Sequence, residues 1–128
     1  MPPAPRRRLA VEDLNVWKKA VQLSVETNQV IFSQQFRGPA SLRDQITRSA
    51  SSIPSNIAEG EGQPTNRASI KFYFIARGSL NELQSQLAEA TRRGCIPGKE
   101  CANLESLSVE VAKLIAGVIR SRKSREVK

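Results

Sequence analysis

Leu42, Ile46, Ala50, Ile53 and Ile57 stand three and four residues apart, which lays them along one side of an α-helix. The same period recurs in three other segments. From Asp13 or Asn15 to about Gln35, the candidate inner stripe is Trp17, Ala20, Val21, Ser24, Thr27 and Ile31, flanked by Val16, Leu23 and Val30. From Thr65 or Asn66 to about Arg93 it is Phe72, Ile75, Ala76, Ser79, Leu83, Gln86, Leu87 and Ala90, and after Pro97-Gly98 it is Leu104, Leu107, Val111, Leu114, Ile115 and Val118. No segment alternates as a strand would. Gly38-Pro39, Gly60 to Pro64, and Gly94 to Gly98 punctuate the pattern, and connections this short favour antiparallel neighbours. The prediction is an all-α chain, an antiparallel up-and-down four-helix bundle over residues 13–119, with 1–12 as an N-terminal arm and 120–128 as a C-terminal tail.

Local signals refine the ends. Asp13 or Asn15 is expected to cap the first helix, and Thr65 or Asn66 the third. Ser41 and Asp44 have capping-box-like spacing at the start of the second. Pro54 removes an amide and crowds the carbonyl of Ala50, so the second helix is expected to kink near Ser51 and Ser52, whose hydroxyls are candidates for the freed backbone groups. Gly78 and Ser79 offer small side chains where another helix approaches closely. Trp17, the only tryptophan, reads as a core anchor in the first turn of its helix.

The chain has 128 residues, enough for one domain with its own core. Its net charge of +8 is unevenly spread. Arg6, Arg7 and Arg8 sit before the bundle, and Arg120, Arg122, Lys123, Arg125 and Lys128 face only Glu126 after it. Residues 9–119 hold twelve basic and eleven acidic side chains and are nearly neutral. Basic arms of this kind neutralise phosphates in a salt-sensitive, largely sequence-independent way, and they also serve solubility or complement the dipole of the last helix. Few aromatics accompany either arm, so base stacking is not expected there. Apolar runs are too short to span a membrane and the N-terminus lacks a signal-peptide pattern, so a cytoplasmic protein is expected. Cys95 and Cys101 are then expected as free thiols at a helix-helix turn. With no histidine, no metal site or cofactor is expected.

Two strings carry a family resemblance: Arg48-Ser-Ala-Ser-Ser-Ile53-Pro54-Ser55-Asn56-Ile-Ala-Glu59-Gly60, and Ile75-Ala-Arg-Gly78-Ser79-Leu-Asn-Glu82-Leu-Gln-Ser-Gln86-Leu87. Together with Leu14-Asn-Val-Trp-Lys-Lys-Ala20 they resemble the four-helix-bundle family linked to 23S rRNA intervening sequences, also called S23 ribosomal protein, over roughly residues 13–96. The resemblance implies an up-and-down bundle and a ring-like homo-oligomer such as a pentamer, with RNA or other nucleic acid as the proposed partner and no enzymatic activity. Gln63 stands where a basic residue is common in the family, and Ser69 and Cys95 where aromatics are frequent. The motif itself is therefore not read as a phosphate grip.

Glu59 and Glu82 are the carboxylates expected to point inward or to a helix end, joined by Asn56, Gln86 and Arg48 in a structural polar network. The serines near Pro54 have no base beside them in sequence, and Gly60-Glu61-Gly62 lacks the Gly-Lys-Ser/Thr of a phosphate loop. Two function classes remain. One is a non-enzymatic, oligomeric nucleic-acid-binding accessory protein acting through the arms. The other is a protein-interaction scaffold with solubilising tails.

Overall fold

A computed structural model describes residues 11–12 and 14–126, save the side chain of Glu126. Four helices account for most of it: α1 Asn15–Ile31, α2 Ala40–Glu61, α3 Asn66–Arg92 and α4 Gly98–Glu126. Each packs on its neighbour in sequence and α1 closes the ring against α4, while the backbones of diagonally placed helices stay further apart. This is the antiparallel up-and-down four-helix bundle that the spacing predicts. The last helix also extends further than the bundle boundary drawn at 119, so residues 120–126 are its final two turns.

The stripe of α2 matches expectation: Leu42, Ile46, Ala50, Ile53 and Ile57 are all buried. In α1 the phase differs, because Val16, Ala20, Leu23, Thr27 and Ile31 face the core while Trp17, Val21 and Ser24 are half-buried on its flank. Trp17 packs on the edge of the core and does not enter it. In α4 the buried line is Cys101, Leu104, Leu107, Ser108, Val111, Ile115 and Ile119, with Leu114 and Val118 half-buried beside it. The first half of α3 departs most: Ile70, Tyr73 and Leu80 are buried, Phe72 is half-buried and Ile75 is 51% exposed.

The ends of the helices follow backbone chemistry more than side-chain capping. Extended residues Leu14 and Pro39 precede α1 and α2 without a side-chain cap, so Asn15 and Ser41 lie inside the first turns instead of capping them, and Asp13 lies outside the described residues. Pro39 is suited to this place, since its φ is preset and its carbonyl accepts the amides of Leu42 and Arg43. Thr65 caps α3 as its sequence suggests, its hydroxyl accepting the Ala68 amide at 3.1 Å. Beyond α3, Gly94 adopts φ +75°, the left-handed region. Its amide reaches the Thr91 carbonyl, and the Cys95 amide reaches that of Ala90, a Schellman stop. The Cys95 carbonyl then accepts the Arg37 amide at 2.9 Å, joining the two loops at this end. Cys95 and Cys101 are both buried and free.

Close helix approach occurs at Gly60 and not at Gly78. A Cβ on Gly60 would stand 3.1 Å from the Tyr73 ring and 3.2 Å from the Ser69 carbonyl, whereas one on Gly78 would meet nothing within 4 Å. Ser79 does pack inward, its hydroxyl 2.8 Å from that of Ser52. Pro54 lies inside α2. Near it the Ser51 hydroxyl bonds the Arg48 carbonyl, and Asn56 donates to both the carbonyl and the hydroxyl of Ser52. Neither serine hydroxyl is bonded to the Ala50 carbonyl that loses its amide partner.

Candidate nucleic-acid interface

The end of α2, the start of α3 and the end of α4 meet at one end of the bundle. There the half-buried Glu61 carboxylate accepts the Tyr73 hydroxyl at 2.5 Å and pairs with the Arg122 guanidinium at 2.6 Å. Arg122 also donates to the Ser69 hydroxyl and lies over the Tyr73 ring, 5.2 Å from its centroid. The side chains of Arg122 and Glu61 keep only 17% and 15% of their exposure, so water screens this pair weakly. Burial and then the bond to Glu61 push the Tyr73 phenol well above its ordinary range, keeping it neutral.

The inward carboxylate is thus Glu61, not Glu59 or Glu82. Those two are exposed, as is Arg48. Position decides this: Glu61 is the last residue of α2, where the close approach over Gly60 brings Tyr73 and Arg122 within reach. The motif residues Arg48, Ser52, Ser79, Glu82 and Gln86 instead line a cleft of about 330 Å³ between α2 and α3. In it the Gln86 side-chain oxygen is buried without a hydrogen-bond partner. Ile53 and Gly60 are buried, while Pro54 and Asn56 are half-buried and Ser55 is exposed. Among the described residues, no group of three His, Cys, Asp or Glu side chains is placed to hold a metal, and no helix is long and apolar enough to cross a membrane.

Around the Glu61–Arg122 pair the surface is basic. Between Asn66 and Asn81, α3 carries Arg67, Lys71 and Arg77 and no carboxylate. Between Val111 and Arg125, α4 carries Lys113, Arg120, Arg122, Lys123 and Arg125 and again none. The two stretches run side by side: Lys123 lies 5.1 Å and Arg77 4.6 Å from the centre of the Phe74 ring, which is 36% exposed. Arg125 lines a cleft of about 440 Å³ with Gly60, Thr65, Asn66 and Ser69. Of the predicted basic residues, Arg120, Lys123 and Arg125 are therefore exposed, Arg122 is committed to an internal pair, and Arg6, Arg7, Arg8 and Lys128 lie outside the described residues. Arg67, Lys71 and Arg77, missed in sequence because the bundle body is nearly neutral in sum, join the same surface through the antiparallel pairing of α3 and α4. So does an aromatic ring.

By its fold the protein is a four-helix bundle, and one end of it is basic. Over residues 12–117 the chain matches the 23S rRNA-intervening sequence protein family, and it belongs to that family. It is similar to the crystal structure of a protein of unknown function from the S23 ribosomal protein family of Bacteroides thetaiotaomicron, at 25% identity and a TM-score of 0.73 over 81% of this chain and 97% of that one. No curated protein matches the chain.

Proposed function

We propose that this chain is a non-enzymatic accessory protein of the cytoplasm that binds nucleic acid, rRNA foremost, as a homo-oligomer. The observation that carries this is the pairing of two carboxylate-free, cation-bearing stretches, Asn66–Asn81 and Val111–Arg125, on one end of a bundle whose remaining surface is mixed in charge. Such a surface neutralises several phosphates at once and releases their counterions. Family membership supports rRNA as the partner to try first. Assembly is supported by the α3 flank, where exposed Ile75 and the open surface over Gly78 suit the close approach of a second copy in a ring such as a pentamer.

The test is a salt titration with labelled 23S rRNA fragments and duplex DNA, alongside the mass in solution. Truncating the tail would remove Arg122 and with it an internal ion pair, so Lys71, Lys123 and Arg125 are changed to Gln instead. The logarithm of the affinity should fall linearly with the logarithm of salt concentration, and the slope should drop in magnitude by about 0.7–0.9 for each phosphate that the variant no longer neutralises. Absence of binding at low salt, or a slope untouched by all three changes, overturns the proposal. A second reading, a protein-interaction scaffold, is favoured by the exposed rings and side chains of Phe32 (62%) and Ile75 (51%). It predicts a protein partner captured equally well by the triple variant.

A further inference from the structure

Phe74 is the aromatic that the basic tail lacks in sequence. One of the larger exposed apolar side chains, it stands on the α4-facing flank of α3 with Arg77 and Lys123 against its ring. Arg67 and Lys71 lie seven and three residues before it and Arg77 three after, so helical geometry strings these exposed side chains along one line. The carboxylates flanking this line along the chain are Glu61, already paired with Arg122, and Glu82, five residues past Arg77 and lining the α2–α3 cleft; on α4, Glu126 follows Lys123 by three residues, its side chain outside the described ones. A ring among cations on a carboxylate-free stripe joins the two elements that single-stranded nucleic acid needs: a π-face for a base and positive charge for the flanking phosphates.

Resting on the nucleic-acid reading above, we infer that the α3–α4 groove binds an unpaired strand, with one base stacked on Phe74 and the adjoining phosphates on Arg67, Lys71, Arg77 and Lys123. The base displaces one of the two cations from the ring, and that cation moves to the phosphate beside it. Paired bases offer no free face, so a duplex engages the cations alone. The groove thus discriminates unpaired from paired segments without reading sequence.

The experiment uses the full chain with a 20-nucleotide unstructured RNA and the corresponding RNA duplex at one salt concentration. Variants are Phe74→Leu, which keeps bulk without a π-face, and Phe74→Trp, which enlarges it. Stacking on one base predicts that F74L weakens single-strand binding about tenfold, leaves the duplex and the salt slope unchanged, and that F74W restores or improves on the parent. Helical circular dichroism and sedimentation mass should be unchanged in both variants. Equal loss for strand and duplex, no loss in F74L, or a duplex preference in the parent each overturns the stacking inference while leaving the parent function standing. A change of mass in F74L overturns it too, since the ring then seals a contact between copies. No binding of either RNA by the parent protein removes the parent function as well.

Discussion

The pair formed by Glu61 and Arg122 yields the sharpest stability prediction. Replacing Arg122 by Met keeps an apolar stem over Tyr73 but leaves the Glu61 carboxylate with the Tyr73 hydroxyl as its one remaining partner in the pair's network. Removing one member of a fully buried ion pair costs about 3–5 kcal/mol, and of an exposed pair at most about 1 kcal/mol. With 17% and 15% of the side chains exposed, the site lies near the buried limit, and a loss of about 2–3 kcal/mol is expected. For a domain of this size that lowers Tm by roughly 6–15 °C. Glu61→Gln removes the charge from the other side, and the double variant should lose less than the sum of the two, with a coupling of at least about 1 kcal/mol. Urea unfolding followed by helical circular dichroism reads all four proteins, at one protein concentration because assembly adds to apparent stability. Single-variant losses below about 0.5 kcal/mol, or strictly additive effects, would refute the view that this pair is shielded from water.

Three further outcomes are expected. Tyr73 has its phenol raised above the ordinary value near 10, so the folded state holds its proton longer than the unfolded chain: stability should be level below that pH and fall above it by up to about 1.4 kcal/mol per pH unit, a decline that Tyr73→Phe abolishes in alkaline urea titrations. The two glycines should part company: Gly60→Ala drives a methyl into Tyr73 and should cost about 1–3 kcal/mol, while Gly78→Ala meets open space and should add about 0.5–1 kcal/mol in denaturation of dilute protein. Thr27 is fully buried with its hydroxyl unpaired, so Thr27→Val should stabilise by about 1 kcal/mol, and a destabilised variant would mean the hydroxyl has a partner after all.

Helix number, turns and the face of α2 were legible because a single clean apolar period occupies Leu42 to Ile57 and breakers bound each segment. The first half of α3 was not, since Phe72, Tyr73, Phe74 and Ile75 are consecutive apolar residues and periodicity cannot choose which turns inward. The choice falls to Tyr73 because Glu61 and Arg122, distant in sequence, give its hydroxyl and ring their partners. In α1 a similar ambiguity between Val16 and Trp17 shifted the expected face by one residue. The basic surface was half legible: the cations of the tail stand out in the chain, but those of α3 do not, and nothing local marks Arg122 as internal or Phe74 as its neighbours' platform. Such pairings depend on the register between antiparallel helices, which spacing within one helix does not encode.

That register has a mechanical consequence. The contact of Lys19 with Glu110 sets Asn15 of α1 level with about residue 114 of α4, yet α4 has 29 residues against 17 in α1 and continues about three turns more. Over those turns, past the first residue of α1, α4 rests on the ends of α2 and α3. Amide hydrogen exchange should therefore divide the molecule in two, with the segment after Ser121 opening on its own while the four-layered part stays closed. Arg122 sits at the boundary, so its pair with Glu61 works as a latch that decides whether the last turns of α4, and the cations on them, hold a fixed shape.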